Sequence, residues 1–192
     1  MADGGRVIGG SASGLRLLVP GEGTRPLTDR VKQSLFGALA ADGAVGEGTS
    51  FLDLFAGSGA AGIEALSLGA ARAVFVERDA GATWIIGRNL AHIGLQGGTV
   101  VRADVLRFLE RDSAAAGAPF DACLADPPYV DESLVAVLER LGDPGRGWLT
   151  EGALVVAKHF WRDEQPSAAG GLAKDRQKRF GETALTFYRY RQ

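Results

Sequence analysis

The chain has 192 residues, 46% of them apolar, enough for one compact domain with a substantial core. Its 21 Lys and Arg against 23 Asp and Glu give a formal net charge of −2, which argues against a protein that coats nucleic acid by charge alone. No apolar run reaches the ~18 residues of a membrane-spanning helix, the opening Met1 to Arg6 lacks a signal-peptide pattern, and the single Cys123 forms no internal disulfide, so a cytoplasmic location and no membrane partner are expected.

In chain order, Val7-Ile8 and Leu15 to Val19 flank a Gly- and Ser-rich stretch, Gly9 to Gly14, that predicts a small N-terminal β-hairpin. Residues 1–24 are expected to form this extension and 25–192 the main domain. A helix over Asp29 to Leu39 follows. Phe51 to Phe55, Ala73 to Val76, Val100-Val101, Phe120 to Ala125 and Ala153 to Ala157 are short, nearly unbroken apolar runs, the pattern of strands buried on both faces. Between them, Ala60 to Leu68, Ala82 to Ile93, Leu106 to Arg111 and Glu132 to Leu141 carry apolar residues at helical spacing. Gly69 and Gly94 stand where helix C-caps are expected. The alternation predicts a doubly wound, mostly parallel α/β sheet with ligands at the carboxyl ends of its strands. Ser167 to Gly171 predicts a turn or loop, and Ala184 to Tyr190 an antiparallel last strand preceded by a loop.

Two motifs carry chemistry. Phe51 to Gly62 runs from a strand through a small-residue loop into a helix, so that Phe55, Ala56, Gly57, Ser58 and Gly59 admit a ligand close to the backbone. Gly57, Gly59 and Gly62 also satisfy a dinucleotide fingerprint, so a nicotinamide enzyme stays in view. Asp53, a carboxylate inside an apolar strand, suits the amino group of a methionine moiety better than a pyrophosphate. Glu77, with Arg78 after it, is placed for ribose hydroxyls. Asp104, before Val105, is placed for an adenine amino group or as a helix N-cap. The second motif is Asp126-Pro127-Pro128-Tyr129. An aromatic amino group is a poor nucleophile. Asp126 and the Pro127 carbonyl offer it two acceptors, the prolines stiffen the backbone, and Tyr129 offers a stacking face.

These motifs, with Arg6-Val7-Ile8-Gly9-Gly10, Arg25 to Lys32 and Phe180-Gly181-Glu182-Thr183, resemble the class I methyltransferases and in particular the RsmD-like family, which methylates the N2 amino group of a guanine in bacterial 16S ribosomal RNA. The resemblance spans nearly the whole chain. It implies a Rossmann-like seven-stranded sheet with its last strand antiparallel, S-adenosyl-L-methionine as donor, no metal, and 16S rRNA in the assembled or assembling 30S subunit as partner to a monomer. It further implies a methionine end lined by Asp53, Gly57 and Gly59, with Glu77 on the ribose, Asp104 on the adenine, and Asp126 to Tyr129 on the target base. By the same resemblance Arg25, Thr28 and Arg30 would form part of the approach of cofactor and RNA, and Arg6, Arg16 and Lys32 complete a basic N-terminal group expected to bind RNA. The chain departs from the family pattern at Leu27 and Gln33, and at Ala157-Lys158-His159, where relatives usually show an acidic residue. Besides the nicotinamide enzyme, two competing readings remain, an RNA-binding assembly factor without catalysis and an adenine methyltransferase acting on DNA. His92, expected on a helix face, His159, expected in a loop, and the three tryptophans, expected to pack, receive no role.

Overall fold

The computed structural model describes residues 5–19, 27–128 and 133–192. Within them α1 (Asp29–Ala41) leads into β1 (Ser50–Leu54), α2 (Ala60–Ser67), β2 (Arg72–Glu77), α3 (Ala80–Ile93), β3 (Gly98–Arg102), α4 (Val105–Leu109) and β4 (Phe120–Ala125). Then come α5 (Leu134–Gly142), β5 (Leu149–Phe160), β6 (Ala168–Ala169), β7 (Leu172–Phe180) and β8 (Thr183–Tyr190). The strands form one sheet in the order β3-β2-β1-β4-β5-β8-β7-β6. β1 pairs in parallel with β2 on one side and β4 on the other, so the winding reverses at β1 and opens a crevice at the carboxyl ends.

The central strands read as continuous apolar runs because both their faces are covered. Phe51, Ala122 and Leu124 join the cluster that contains Leu35 and Phe36 of α1, Ile63 of α2 and Ile86 of α3. Their neighbours Leu52, Leu54, Cys123 and Ala125 join the opposite cluster with Phe108 of α4 and Leu138 of α5. The period-two alternation persists, but apolar residues occupy both phases.

The last strand, β8, is antiparallel to both β5 and β7. Seven strands thus match the expected sheet, and the two-residue β6 adds an eighth at the edge. The segment before β8 is not a loop. Lys174 to Arg179, with little strand propensity, are held extended by pairing with β8 across a turn at Gly181, where φ is +61°. His159 lies in β5 and not in a loop, buried, with Nε2 2.8 Å from Thr186 Oγ1. Trp148 packs as expected, but Trp84 does not: it is 61% exposed, with Arg88 stacked on its ring.

The N-terminal arms pair antiparallel through an Arg6–Arg16 bridge, with Val7 N–H donating to the Leu15 carbonyl at 2.9 Å and a 3-10 turn, Gly10–Ala12, at the tip. This hairpin is fastened to α2. Glu64, fully buried, accepts from the N–H groups of Ile8 and Gly9, and Ser67 Oγ donates to the Gly9 carbonyl. A Cβ on Gly10 would lie 1.8 Å from the Ser67 carbonyl oxygen, and φ there is +73°, so only glycine fits. Asn89 of α3 accepts from Leu18 N–H and donates to the carbonyls of Leu18 and Ser58, tying the arm to the glycine loop. Glu64→Ala should lower stability by about 1.5–3 kcal/mol through loss of charge-assisted bonds. It should also speed hydrogen exchange at Ile8 and Gly9, whereas unchanged protection there would show that the arm is held by its apolar contacts alone.

Candidate functional site

The loop after β1 turns sharply enough that Phe55 adopts φ +61°, a strained value for a side chain of this size, and Gly57 and Gly59 follow at +55° and +78°. Gly62 serves packing: a Cβ there would meet the Phe75 ring at 2.3 Å, so α2 lies directly against β2. Asp53 is 2% exposed and accepts from Gly62 N–H at 2.9 Å. Burial pushes its carboxyl well above the usual carboxylate range, against the lowering effect of that bond, and the nearby charges of Asp126 and Glu77 add to the rise.

Glu77, at the end of β2, accepts from Gly57 N–H at 3.0 Å through one oxygen and from Asp79 N–H at 2.8 Å through the other. It therefore clamps the glycine loop to the second strand. Asp104 caps α4 by accepting from Arg107 N–H at 3.1 Å, with Val105 buried behind it. At the end of β4, Asp126 N–H donates to the Leu54 carbonyl, and its carboxylate lies 2.5 Å from Lys158 Nζ. Burial raises the Asp126 carboxyl, while the Lys158 charge and hydrogen bond work to lower it.

These residues surround one cavity of about 610 Å³. Of the residues expected to hold a cofactor, Asp53, Phe55, Ala56, Gly57, Ser58, Glu77, Arg78, Asp104 and Val105 line it, together with Asp126, Pro127 and Pro128. Gly59 and Thr28 do not. Gly59 is the N-cap of α2, and Thr28 caps α1 by accepting from Val31 N–H, while its neighbour Leu27 reaches the cavity instead. Tyr129 and Arg25 lie outside the described residues. In the basic group, Arg6 pairs with Asp29 on the surface and Arg16 and Arg30 are exposed. Lys32 is a correction. It is 1% exposed, with Nζ on the Arg6 carbonyl and 3.6 Å from Asp29, because the α1 face that carries it is packed under the N-terminal arm.

The motifs gave no role to Val19, Asp79 and Lys158, which also line the cavity. A signal existed for Lys158: parallel pairing of Ala125 with Ala157 places the next residues, Asp126 and Lys158, side by side at adjacent strand ends.

Five lining carboxylates, Asp53, Glu77, Asp79, Asp104 and Asp126, face two lining cations, Arg78 and Lys158. Such a cavity favours a cationic ligand with hydroxyl and amino donors. A diphosphate would meet repulsion, and the Gly57 N–H it would need is already bonded to Glu77. The dinucleotide alternative therefore fails on the geometry of its own loop.

Strand order, antiparallel last strand and this acidic crevice define a Rossmann-like class I methyltransferase fold. Residues 5–189 match the family model described as conserved hypothetical protein 95, and the chain belongs to that family, which includes ribosomal RNA small subunit methyltransferase D. It is 38% identical over 188 residues to YlbH of Bacillus subtilis (strain 168), covering 97% of this chain and 99% of YlbH. It is 35% identical over 184 residues to ribosomal RNA small subunit methyltransferase D of Escherichia coli (strain K12), covering 95% of this chain and 88% of that protein. The solved structure of yhhF from Escherichia coli superimposes with a TM-score of 0.82 at 34% identity over 97% of both chains. A more distant structure, complexed with SAH, shares the fold at a TM-score of 0.64 and 13% identity, covering 83% of this chain and 49% of that one.

Asp53→Asn keeps an acceptor for Gly62 N–H and removes the titrating carboxyl. Because the folded carboxyl titrates above its unfolded value, the stability that Asp53 contributes is present at acid pH and lost as pH rises through the folded value. The variant should thus melt higher than the parent near neutral pH, by the equivalent of about 1–3 kcal/mol. Thermal melts should show the advantage shrinking as pH falls. An advantage independent of pH would contradict a raised Asp53 carboxyl.

Proposed function

We propose that the chain transfers a methyl group from S-adenosyl-L-methionine to the exocyclic N2 amino group of a guanine in 16S rRNA of the bacterial small ribosomal subunit. The observation that carries this reading is the placement of Asp126 and Pro127 in one cavity with Asp53, Glu77 and Asp104. The donor suits the site on three counts: a volume of about 610 Å³, a negative balance for a cationic methionine end, and carboxylates at the ends of β1 and β2. Asp53 and the glycine loop would hold the methionine amine, Glu77 the ribose hydroxyls, and Asp104 with Val105 the adenine. When bound, S-adenosyl-L-methionine supplies a methyl group activated by its sulfonium.

The protein's own residues do the remainder. The Asp126 carboxylate and the Pro127 carbonyl accept the N–H bonds of the target amine, which orients its nitrogen lone pair and favours the pyramidal, nucleophilic form. As the nitrogen gains positive charge, Asp126 offsets it or takes a proton. Tyr129 supplies the stacking face. The rRNA assignment is supported by the name of the Escherichia coli relative, at 35% identity. The exposed Arg6, Arg16 and Arg30, with Arg25, form the contact to RNA, and the protein acts as a cytoplasmic monomer on a base that the folded particle presents splayed from its neighbours. Among the described residues no helix is long and apolar enough to cross a membrane.

Labelled methyl transfer to unmodified small subunits, followed by nucleoside analysis, tests the assignment. N2-methylguanosine is expected, and label in adenine alone would overturn the base assignment. Asp126→Ala should lower kcat by about 100-fold or more while leaving cofactor affinity within a few-fold. Glu77→Ala should chiefly weaken the cofactor, and equal loss of cofactor binding in both variants would contradict this division of roles.

A further inference from the structure

Lys158 stands at the level of Asp126 on the neighbouring parallel strand, one residue beyond the Ala125–Ala157 pair, and both side chains line the cavity. Nζ lies 2.5 Å from Asp126 Oδ1, and the two side chains are only 12% and 19% exposed. We propose that Lys158 is a positioning residue for methyl transfer: it holds the Asp126 carboxylate in its ionised form and turned into the cavity, so that the target amine meets an acceptor and not a carboxylic acid. The inference rests on the reading of Asp126 as the acceptor of the amine.

The surroundings of Asp126 make such a partner necessary. The carboxylate is largely withdrawn from water, which by itself favours the neutral acid. The other charged groups around the cavity are mostly acids: Asp53 from β1, Glu77 at the end of β2, Asp79 before α3 and Asp104 before α4. Asp53 and Asp126 repel each other closely enough that the charge of Asp126 contributes to the rise of the Asp53 carboxyl. Arg78 is the other lining cation, and it is exposed just beyond the end of β2. A protonated Asp126 would present a donor to an amine that has donors of its own, and the N–H would lose its partner. Lys158 works against that burial through Oδ1 and leaves the second carboxylate oxygen to receive the amine. The motif aspartate is in turn the counter-charge of the lysine.

The test has two readouts on the full chain. Methyl transfer to small subunits is followed across pH for the parent, Lys158→Met and Lys158→Arg, and the Asp126 carboxyl is titrated by carbon NMR in the same three proteins without substrate. Lys158→Met should lower kcat/KM for the subunit by roughly ten- to a hundredfold near neutral pH, the scale of one lost charge-assisted contact, with cofactor affinity unchanged. The acid limb of its rate profile and the Asp126 titration should both move to higher pH, and Lys158→Arg should return both toward the parent. An acid limb and a titration unmoved by Lys158→Met would overturn the proposal. A parent that labels no subunit, with a titration that still depends on Lys158, would overturn the substrate reading and leave the pairing standing.

Discussion

The structure is organised by the reversal of winding at β1. Because β1 pairs in parallel with β2 on one side and β4 on the other, the chain leaves these strands toward opposite faces of the sheet, and nothing closes the carboxyl ends between them. Into that gap the strands carry acids: Asp53 inside β1, Glu77 at the end of β2 and Asp126 just after β4. Their mutual repulsion and burial are unfavourable to the fold, and the local architecture is largely an answer to that cost. Gly62 N–H bonds Asp53, Gly57 and Asp79 N–H groups bond Glu77, and Lys158 bonds Asp126. The strained Phe55 and the left-handed Gly57 and Gly59 are the backbone conformations that bring those N–H groups into reach.

The N-terminal arm depends on the same centre. Asn89 bonds Leu18 and Ser58 together, so the hairpin carrying Arg6 and Arg16 is fixed relative to the glycine loop and not merely attached to it. A protein of formal charge −2 in this way separates its charges: carboxylates concentrate in the crevice, and Arg6 and Arg16 lie on an arm whose position relative to the crevice is set by buried hydrogen bonds. β7 also carries Lys174, Arg176, Lys178 and Arg179, but Arg176 is committed to Asp42 and Arg179 is stacked on Trp161, so this basic group is in part structural.

How much of this was legible in the sequence follows from what each residue packs against. β1, β2, β4 and β5 were legible because both faces are buried and their central positions are mostly apolar. The glycine loop and Asp126 to Pro128 were legible because their composition has few other uses. β7 was not, since Leu172-Ala173-Lys174-Asp175-Arg176-Gln177-Lys178-Arg179-Phe180 has little to bury and is extended only because β8 lies alongside. Lys32 was misleading for the opposite reason: a lysine in a charged helix reads as surface, but its ammonium is placed under the arm by a carbonyl and a carboxylate far apart in sequence. Lys158 fell between the two, visible as a departure from a family pattern but meaningful only once the strand register set it beside Asp126.

The central claim is that a single crevice at β1 holds the methyl donor with its sulfur toward Asp126. A crystal structure with S-adenosylhomocysteine bound tests it most directly. The account predicts the methionine amine at Asp53 and the glycine loop, the ribose hydroxyls on Glu77, the adenine beside Asp104 and Val105, and the sulfur facing the Asp126–Pro127 end. A ligand bound outside this crevice, or one lying in it with its sulfur directed away from Asp126, would contradict the account.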